Sequence, residues 1–296
     1  MTVMTIKTNN SSESLCDTLD ELYLDFELDS AYYIGDRNGK CNLSANEPHR
    51  HETKDRISNT WYFQIIKPDR DGDNILMVAI ILGKVNIAMM LIDLIPDYRW
   101  LSRQNRMFQT SLHLATLANN SELVRRLVVA GIDVHKQDWR GNTALHIACL
   151  KGFRDIAETL LTPVTYSETK LNTYEIPYQP IPQNLEIRNV DGLTCFLLAT
   201  INRDRDMIDL LIDKDADINS FDMKSGKICL HILAEYGDAV LMKYLLSKPR
   251  VNVNAKTYSG HTALQIANYR CNDQIVYLLR LAGAEEMLSD VEYISD

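Results

Sequence analysis

Apolar residues recur along this chain in six short blocks, each opening on a polar or β-branched residue and closing on Ala or Leu. The blocks are Asn74-Ile75-Leu76-Met77-Val78-Ala79, Thr110-Ser111-Leu112-His113-Leu114-Ala115, Thr143-Ala144-Leu145-His146-Ile147-Ala148, Thr194-Cys195-Phe196-Leu197-Leu198-Ala199, Ile228-Cys229-Leu230-His231-Ile232-Leu233 and Thr262-Ala263-Leu264-Gln265-Ile266-Ala267. The central Leu or Phe stands at 76, 112, 145, 196, 230 and 264, so the steps are 36, 33, 51, 34 and 34 residues. Each block predicts a short helix. Thr110, Thr143, Thr194, Thr262 and Asn74 place a side-chain oxygen where it can accept a bond from an orphan N–H one turn in. Seven residues past the central position, Gly83, Gly152 and Gly237 supply a left-handed turn. Asn119 suits that turn too, whereas Arg203 and Cys271 suit it less. Second helices follow at i, i+3, i+4 spacing, as in Val124, Leu127, Val128 and Ile275, Leu278, Leu279.

A period near 33 carrying T-x-L-H-x-A is the ankyrin-repeat signature. The predicted fold is therefore an all-α solenoid of six helix-turn-helix repeats with β-hairpin fingers, over residues 56–284. The repeats lie near 71–104, 107–139, 140–163, 190–223, 225–257 and 259–284. A solenoid of this kind normally binds another protein. The 51-residue step marks an insertion within 164–186, rich in Tyr and Pro, read as a long loop that is either mobile or packed back on the stack.

The flanks differ in composition. Residues 1–55 are polar and acidic and predict a disordered arm, interrupted at Leu19 to Leu28 by Leu19, Leu22, Tyr23 and Phe26 among four acids. That stretch is either a solvated acidic run or a short docking helix. Arg56 to Pro68 carries Ile57, Trp61, Phe63, Ile65 and Ile66, suited to covering the open end of the first repeat. Residues 285–296 form an acidic tail with no Lys or Arg.

A hydrophobic share of 46% suits a folded chain, and a net charge of −9 argues against direct contact with nucleic acid. The six cysteines include no C-x-x-C pair, and Cys149, Cys195, Cys229 and Cys271 fall within the repeats as expected buried, reduced thiols. Met1 to Ser14 has no apolar core, and Ile75 to Ile95 is interrupted by Lys84, Asn86 and Asp93, so neither a secretion signal nor a membrane span is expected. No catalytic pattern emerges: no phosphate-cradling glycine loop, no G-x-S-x-G, no H-E-x-x-H. His113, His146 and His231 occupy the repeat's structural position, and His49, His51 and Cys41 make a poor metal set. The expectation is a soluble, cytoplasmic, monomeric binding protein, not an enzyme, with no cofactor or metal.

Particular stretches narrow the class. Asp71-Gly72-Asp73-Asn74-Ile75-Leu76, Asp138-Trp139-Arg140-Gly141-Asn142-Thr143-Ala144-Leu145-His146, Asp191-Gly192-Leu193-Thr194-Cys195 and Thr257-Tyr258-Ser259-Gly260 stand at the openings of repeats one, three, four and six. Together with the insertion after repeat three, this layout resembles the I-kappa-B/Cactus family of Rel (NF-kappa-B) inhibitors. The resemblance implies a Rel dimer as partner, its nuclear-localisation segment masked and the factor held in the cytoplasm. It places Asp71 and Asp73 against that Lys/Arg-rich segment and puts Asn74 and Arg140 in the partner-binding set. Trp139, Phe221 and Tyr258 are finger-tip aromatics, read either as partner anchors or as rings lying over the neighbouring finger. The family's DSG-type double-serine degron is not matched: Ser30 is followed by Ala31 and two tyrosines, while Ser289 in the tail suits an acid-directed kinase. Inhibition without the usual signal-induced degradation follows from that departure. The alternatives are a nuclear co-regulator of Rel dimers and an unrelated ankyrin adaptor.

Overall fold

Each apolar block folds as an inner helix, and each following i, i+3, i+4 run as an outer helix packed behind it. The computed structural model describes residues 68–95, 97–176 and 183–285. In chain order the helices are α1 (Ile75–Ile81) and α2 (Val85–Leu94), α3 (Ser111–Leu117) and α4 (Ser121–Val129), α5 (Ala144–Lys151) and α6 (Arg154–Leu161), the single-turn α7 (Tyr166–Thr169), α8 (Cys195–Ile201) and α9 (Arg205–Asp213), α10 (Cys229–Tyr236) and α11 (Ala239–Leu246), and α12 (Ala263–Tyr269) and α13 (Asp273–Leu281). The readings of residues 1–55, most of 56–68 and the acidic tail, with Ser30 and Ser289, lie outside the described residues.

The chain divides into two compact units, one of residues up to Asp133 with Val164–Pro177, the other of Val134–Pro163 with Tyr178 onward. In the first, α1 packs on α2 and α3, and α2 on α4. In the second, α5, α8, α10 and α12 pack in succession, with their outer helices behind them. Leu76, Leu112, Leu145, Phe196, Leu230 and Leu264 are all buried. Each such side chain contributes about 1.5–3 kcal/mol of apolar burial.

The cap chemistry works as the residue types dictate. Asn74 accepts from the Met77 N–H at 2.9 Å, and Thr143, Thr194 and Thr262 accept from the N–H three residues on at 3.3–3.4 Å. The hydroxyls of Thr110 and Thr143 also lie 2.8 Å from Nδ1 of His113 and His146. Repeat five opens on Ile228, which has no capping oxygen, but its N–H still donates to His231 Nδ1 at 3.1 Å. The left-handed turns after the inner helices form even without glycine, at Asn119, Arg203 and Cys271. That last turn corrects one expectation. Cys149, Cys195 and Cys229 are buried, but Cys271 is exposed because it sits in the turn after α12 and not on its buried face. Burial pushes the Cys229 thiol up to about 12 and raises Cys195 well above its ordinary value, so both are protonated thiols.

The fingers are tight turns, not strand ladders; among the described residues the one isolated bridge pairs Lys256 with Thr262. An Asx side chain opens most fingers and satisfies the turn's own N–H groups. Asp69 Oδ1 takes Asp71 N and Asp73 N, and Asp138 Oδ1 takes Arg140 N and Asn142 N, all at 2.8–2.9 Å. Those side chains occupy donors that a longer hairpin would pair across strands.

The start of the insertion is packed back on repeat two. Arg125 grips Glu168 with two bonds of 2.8 and 2.7 Å, and Arg126 holds Asp93 at 2.7 Å and Asn172 at 2.9 Å. Asn172 and Tyr174 then donate to the Val129 and Ala130 carbonyls at the end of α4, at 2.7 and 2.9 Å. The insertion thus supplies partners for carbonyls that a helix end leaves open.

Two pH effects follow. The Arg125 guanidinium holds the Glu168 carboxyl at about 2, below its ordinary 4.5. Its contribution is complete above about 4.5 and is lost as pH falls through about 2. Proteolysis within 164–176 should therefore stay slow at pH 5 in the wild-type protein and become fast at the same pH in Arg125→Ala. Burial lowers the His231 pKa from 6.5, and bonds to the Ala255 and His261 carbonyls oppose that shift. The unfolded chain then binds the proton more readily, so this contribution is full above about 6.5 and is lost as pH falls towards the lower folded value. In chemical denaturation between pH 7 and 5, His231→Gln should show a shallower stability loss than wild type.

Candidate partner-binding finger tips

A finger whose backbone bonds are satisfied internally leaves its tip side chains free to vary. In the first unit, Asp71 is exposed at the tip of finger one. Asp73 is half-buried and takes Asn105 Nδ2 of finger two at 2.7 Å. Burial raises its pKa, the Asn105 bond opposes that, and the neighbouring Asp69 and Asp71 charges add to the rise. Asn74 is the α1 cap. The predicted acidic set thus divides: Asp71 faces solvent, while Asp73 and Asn74 also hold the finger and the helix start. Finger two donates Arg106 N–H to the Asp71 carbonyl at 3.0 Å, tying the two tips together.

In the second unit, Trp139 is 50% exposed, with the Arg140 guanidinium 4.7 Å from its ring centre. Phe221 is 39% exposed and lies under Arg188 at 4.6 Å, with the Tyr258 ring edge-on at 6.3 Å. Arg188 also donates to the Phe221 carbonyl. Tyr258, 62% exposed, lies against Gly226 of the preceding finger, whose added Cβ would meet the ring at 2.7 Å. Gly226 has φ +71, so both the backbone conformation and the ring require glycine there. Phe221 and Tyr258 are thus brought together over neighbouring fingers while keeping exposed faces. Trp139 pairs with Arg140 alone among these residues.

Sequence reasoning missed several tip residues. Arg188 lies two residues inside the finger of repeat four, and Val190 and Met223 are exposed beside it. Met107 and Phe108 are exposed on finger two, where Phe108 takes φ +55 at the turn position that Gly72 and Gly141 fill in fingers one and three. The available signal was their offset from the central Leu, four and five residues ahead of it. Among the described residues no His, Cys, Asp and Glu group is arranged to hold a metal, and no helix is long and apolar enough to cross a membrane.

The repeat fold agrees with the comparisons. The ankyrin-repeat model matches three times, over residues 57–138, 99–174 and 196–290. The human B-cell lymphoma 3 protein is 33% identical over 225 residues, 76% of this chain and 46% of its own length. The NF-kappa-B inhibitor cactus of Drosophila melanogaster is 32% identical over 263 residues, 81% of this chain and 52% of its own. The chain thus spans about half the length of these two curated relatives. The crystal structure of the Bcl-3 ankyrin-repeat domain, described as a unique member of the IkappaB protein family, superposes with a TM-score of 0.62 and 31% identity, covering 73% of this chain and 89% of that one. The repeats, the fold and these relatives together place the chain in the I-kappa-B-like ankyrin-repeat family.

Trp139→Ala should weaken partner binding by more than about 1 kcal/mol if the exposed ring is an anchor. Titration calorimetry beside a thermal melt checks this: the affinity should fall while the melting temperature holds.

Proposed function

We propose that this protein is a regulator of Rel/NF-kappa-B-type transcription factors that binds the factor's Rel homology region along the finger tips, without catalysis. The observation that supports this best is that exposed, internally satisfied finger tips are carried by a chain similar to an NF-kappa-B inhibitor along most of its own length. In this reading Asp71 meets a Lys/Arg-rich nuclear-localisation segment, and Trp139, Arg140, Phe221 and Tyr258 contact the folded part of the factor. Masking that segment keeps the factor in the cytoplasm. Since Ser30 lacks the DSG context, release does not follow the family's doubly phosphorylated route.

A second reading, a nuclear co-regulator that binds Rel dimers, draws on the likeness to B-cell lymphoma 3 protein, which matches the likeness to cactus in identity. Location separates the two. Expressed with a fluorescently tagged Rel factor, the protein should hold it outside the nucleus; a factor that stays nuclear with the protein bound favours the second reading. Recovery of no Rel protein in a pull-down from extract would overturn both.

Rim charges act mainly on association rate and salt sensitivity. Asp71→Lys should slow association with the Rel region about three- to tenfold at low ionic strength, with less effect at high salt and an unchanged melting temperature. Asp73→Lys should lose both affinity and stability, because it also breaks the Asn105 bond. Stopped-flow association at two salt concentrations, beside thermal melts, checks both.

A further inference from the structure

The packed start of the insertion carries three hydroxyls in a row, Thr165, Tyr166 and Ser167, all exposed, followed by Glu168. One of them is marked out. Among the described residues Thr165 alone of the serines and threonines has an acid three residues on; three past Ser167 stands Lys170. A carboxylate at that distance is what the basic pocket of an acid-directed Ser/Thr kinase reads, because a guanidinium or ammonium holds it by charge-assisted bonds.

The same carboxylate holds this segment on repeat two. The Thr165 hydroxyl and the Thr165 N–H both donate to Glu168 Oε2 at 2.8 Å. Glu168 also accepts from the Arg125 guanidinium, at 2.8 Å on Oε1 and 2.7 Å on Oε2. Arg125 lies on α4, so one carboxylate joins the Thr165 turn to the outer helix of repeat two. Asn172 and Tyr174 hold the residues that follow, through the Val129 and Ala130 carbonyls. The link from Thr165 through Glu168 to Arg125 is thus the part that fixes α7.

A phosphate on Thr165 works against that link. It removes the hydroxyl proton that Glu168 accepts. It also brings a charge of about −1.5 to −2 beside a carboxylate that Arg125 keeps ionised, so two anions compete for one guanidinium. The coupling runs both ways. A kinase reads Glu168 only once that side chain has left Arg125, so the open form is the substrate, and the added charge then favours the open form.

We propose that Thr165 is a phosphorylation site for an acid-directed Ser/Thr kinase and that its phosphate releases α7 from repeat two. In the step, Thr165 Oγ1 attacks the γ-phosphorus of ATP and forms the new O–P bond. The bond from that phosphorus to the bridging oxygen breaks, ADP leaves, and the hydroxyl proton passes to a carboxylate base of the kinase. The inference does not depend on the Rel reading.

Full-length protein incubated with a purified acid-directed kinase and ATP tests it. Fragment mass spectra place the phosphate, and limited trypsin digestion after Lys170 reads the release. Wild type should gain phosphate on Thr165, and cleavage after Lys170 should then quicken about tenfold. Arg125→Ala should take phosphate faster than wild type, and its cleavage, already fast, should gain little from it. Glu168→Gln should take up none on Thr165. Tyr166→Phe with Ser167→Ala keeps the acceptor and its acid, and should behave as wild type. Phosphate on Tyr166 or Ser167 in place of Thr165, uptake by Glu168→Gln equal to wild type, or none on Thr165 even in Arg125→Ala would overturn the site. Phosphate on Thr165 with wild-type cleavage unchanged would overturn the release.

Discussion

In repeats three and five the side chain three residues past the inner-helix cap makes the polar bond that ties one repeat to the next. A single ankyrin repeat cannot bury its own apolar face, so its stability is largely that of its interface with the next repeat. At that interface His146 and His231 take an N–H of their own cap on Nδ1 and reach a carbonyl of the following finger with Nε2. Such a ring must be neutral with its proton on Nε2, because Nδ1 faces a donor. The apolar packing around it sets the energy of the stack. The imidazole sets its register, since a repeat shifted by one residue would strand a buried ring nitrogen and a carbonyl. A residue type often read as catalytic is here fully occupied with holding repeats in line.

Much of this was readable in the residues, because it is local. A hydroxyl or amide before an apolar block, a leucine two residues on and a turn seven residues past it each have a mechanical reason within one repeat, and the structure places α1, α3, α5, α8, α10 and α12 on those blocks. The features that were not readable depend on partners distant in sequence. Cys271 lies within a repeat yet is exposed, because the α12 turn rotates it away from the core. The insertion was open between mobile and packed, since Arg125 and Glu168 are 43 residues apart and neither is unusual in its own segment. Arg203 takes a conformation that its residue type disfavours, at φ +57, because the chain after α8 must turn there to start α9. In each case tertiary context overrode local preference.

The finger tips divided along the same line. Their positions follow from the repeat, so Asp71, Trp139, Phe221 and Tyr258 could be located from sequence. Their pairings could not. Asp73 spends its carboxylate on Asn105 of the next finger, and Arg188, which holds Phe221, belongs to a finger where no aromatic drew notice. Arg–aromatic contacts at the surface stabilise by about 0.5–1 kcal/mol each, enough to fix a ring's orientation but not to fold a repeat. Such pairs therefore order exposed rings at little cost to the packing behind them.

That separation lets one turn scaffold carry different tip residues. Most fingers satisfy their own N–H groups through an Asx oxygen, and within each unit neighbouring fingers are tied by a backbone bond, as Val190 N–H to the Arg140 carbonyl at 2.8 Å. Exposed tip side chains such as Asp71 carry little structural duty beyond their backbone, whereas Asp73 and Arg188 also bond the neighbouring finger. Acid on finger one, a cation–ring pair on finger three and another shared by fingers four and five are alternatives that the same turn accepts. A change at an exposed tip such as Asp71 leaves the packing behind it intact, whereas a change at Asp73 also breaks the bond from Asn105.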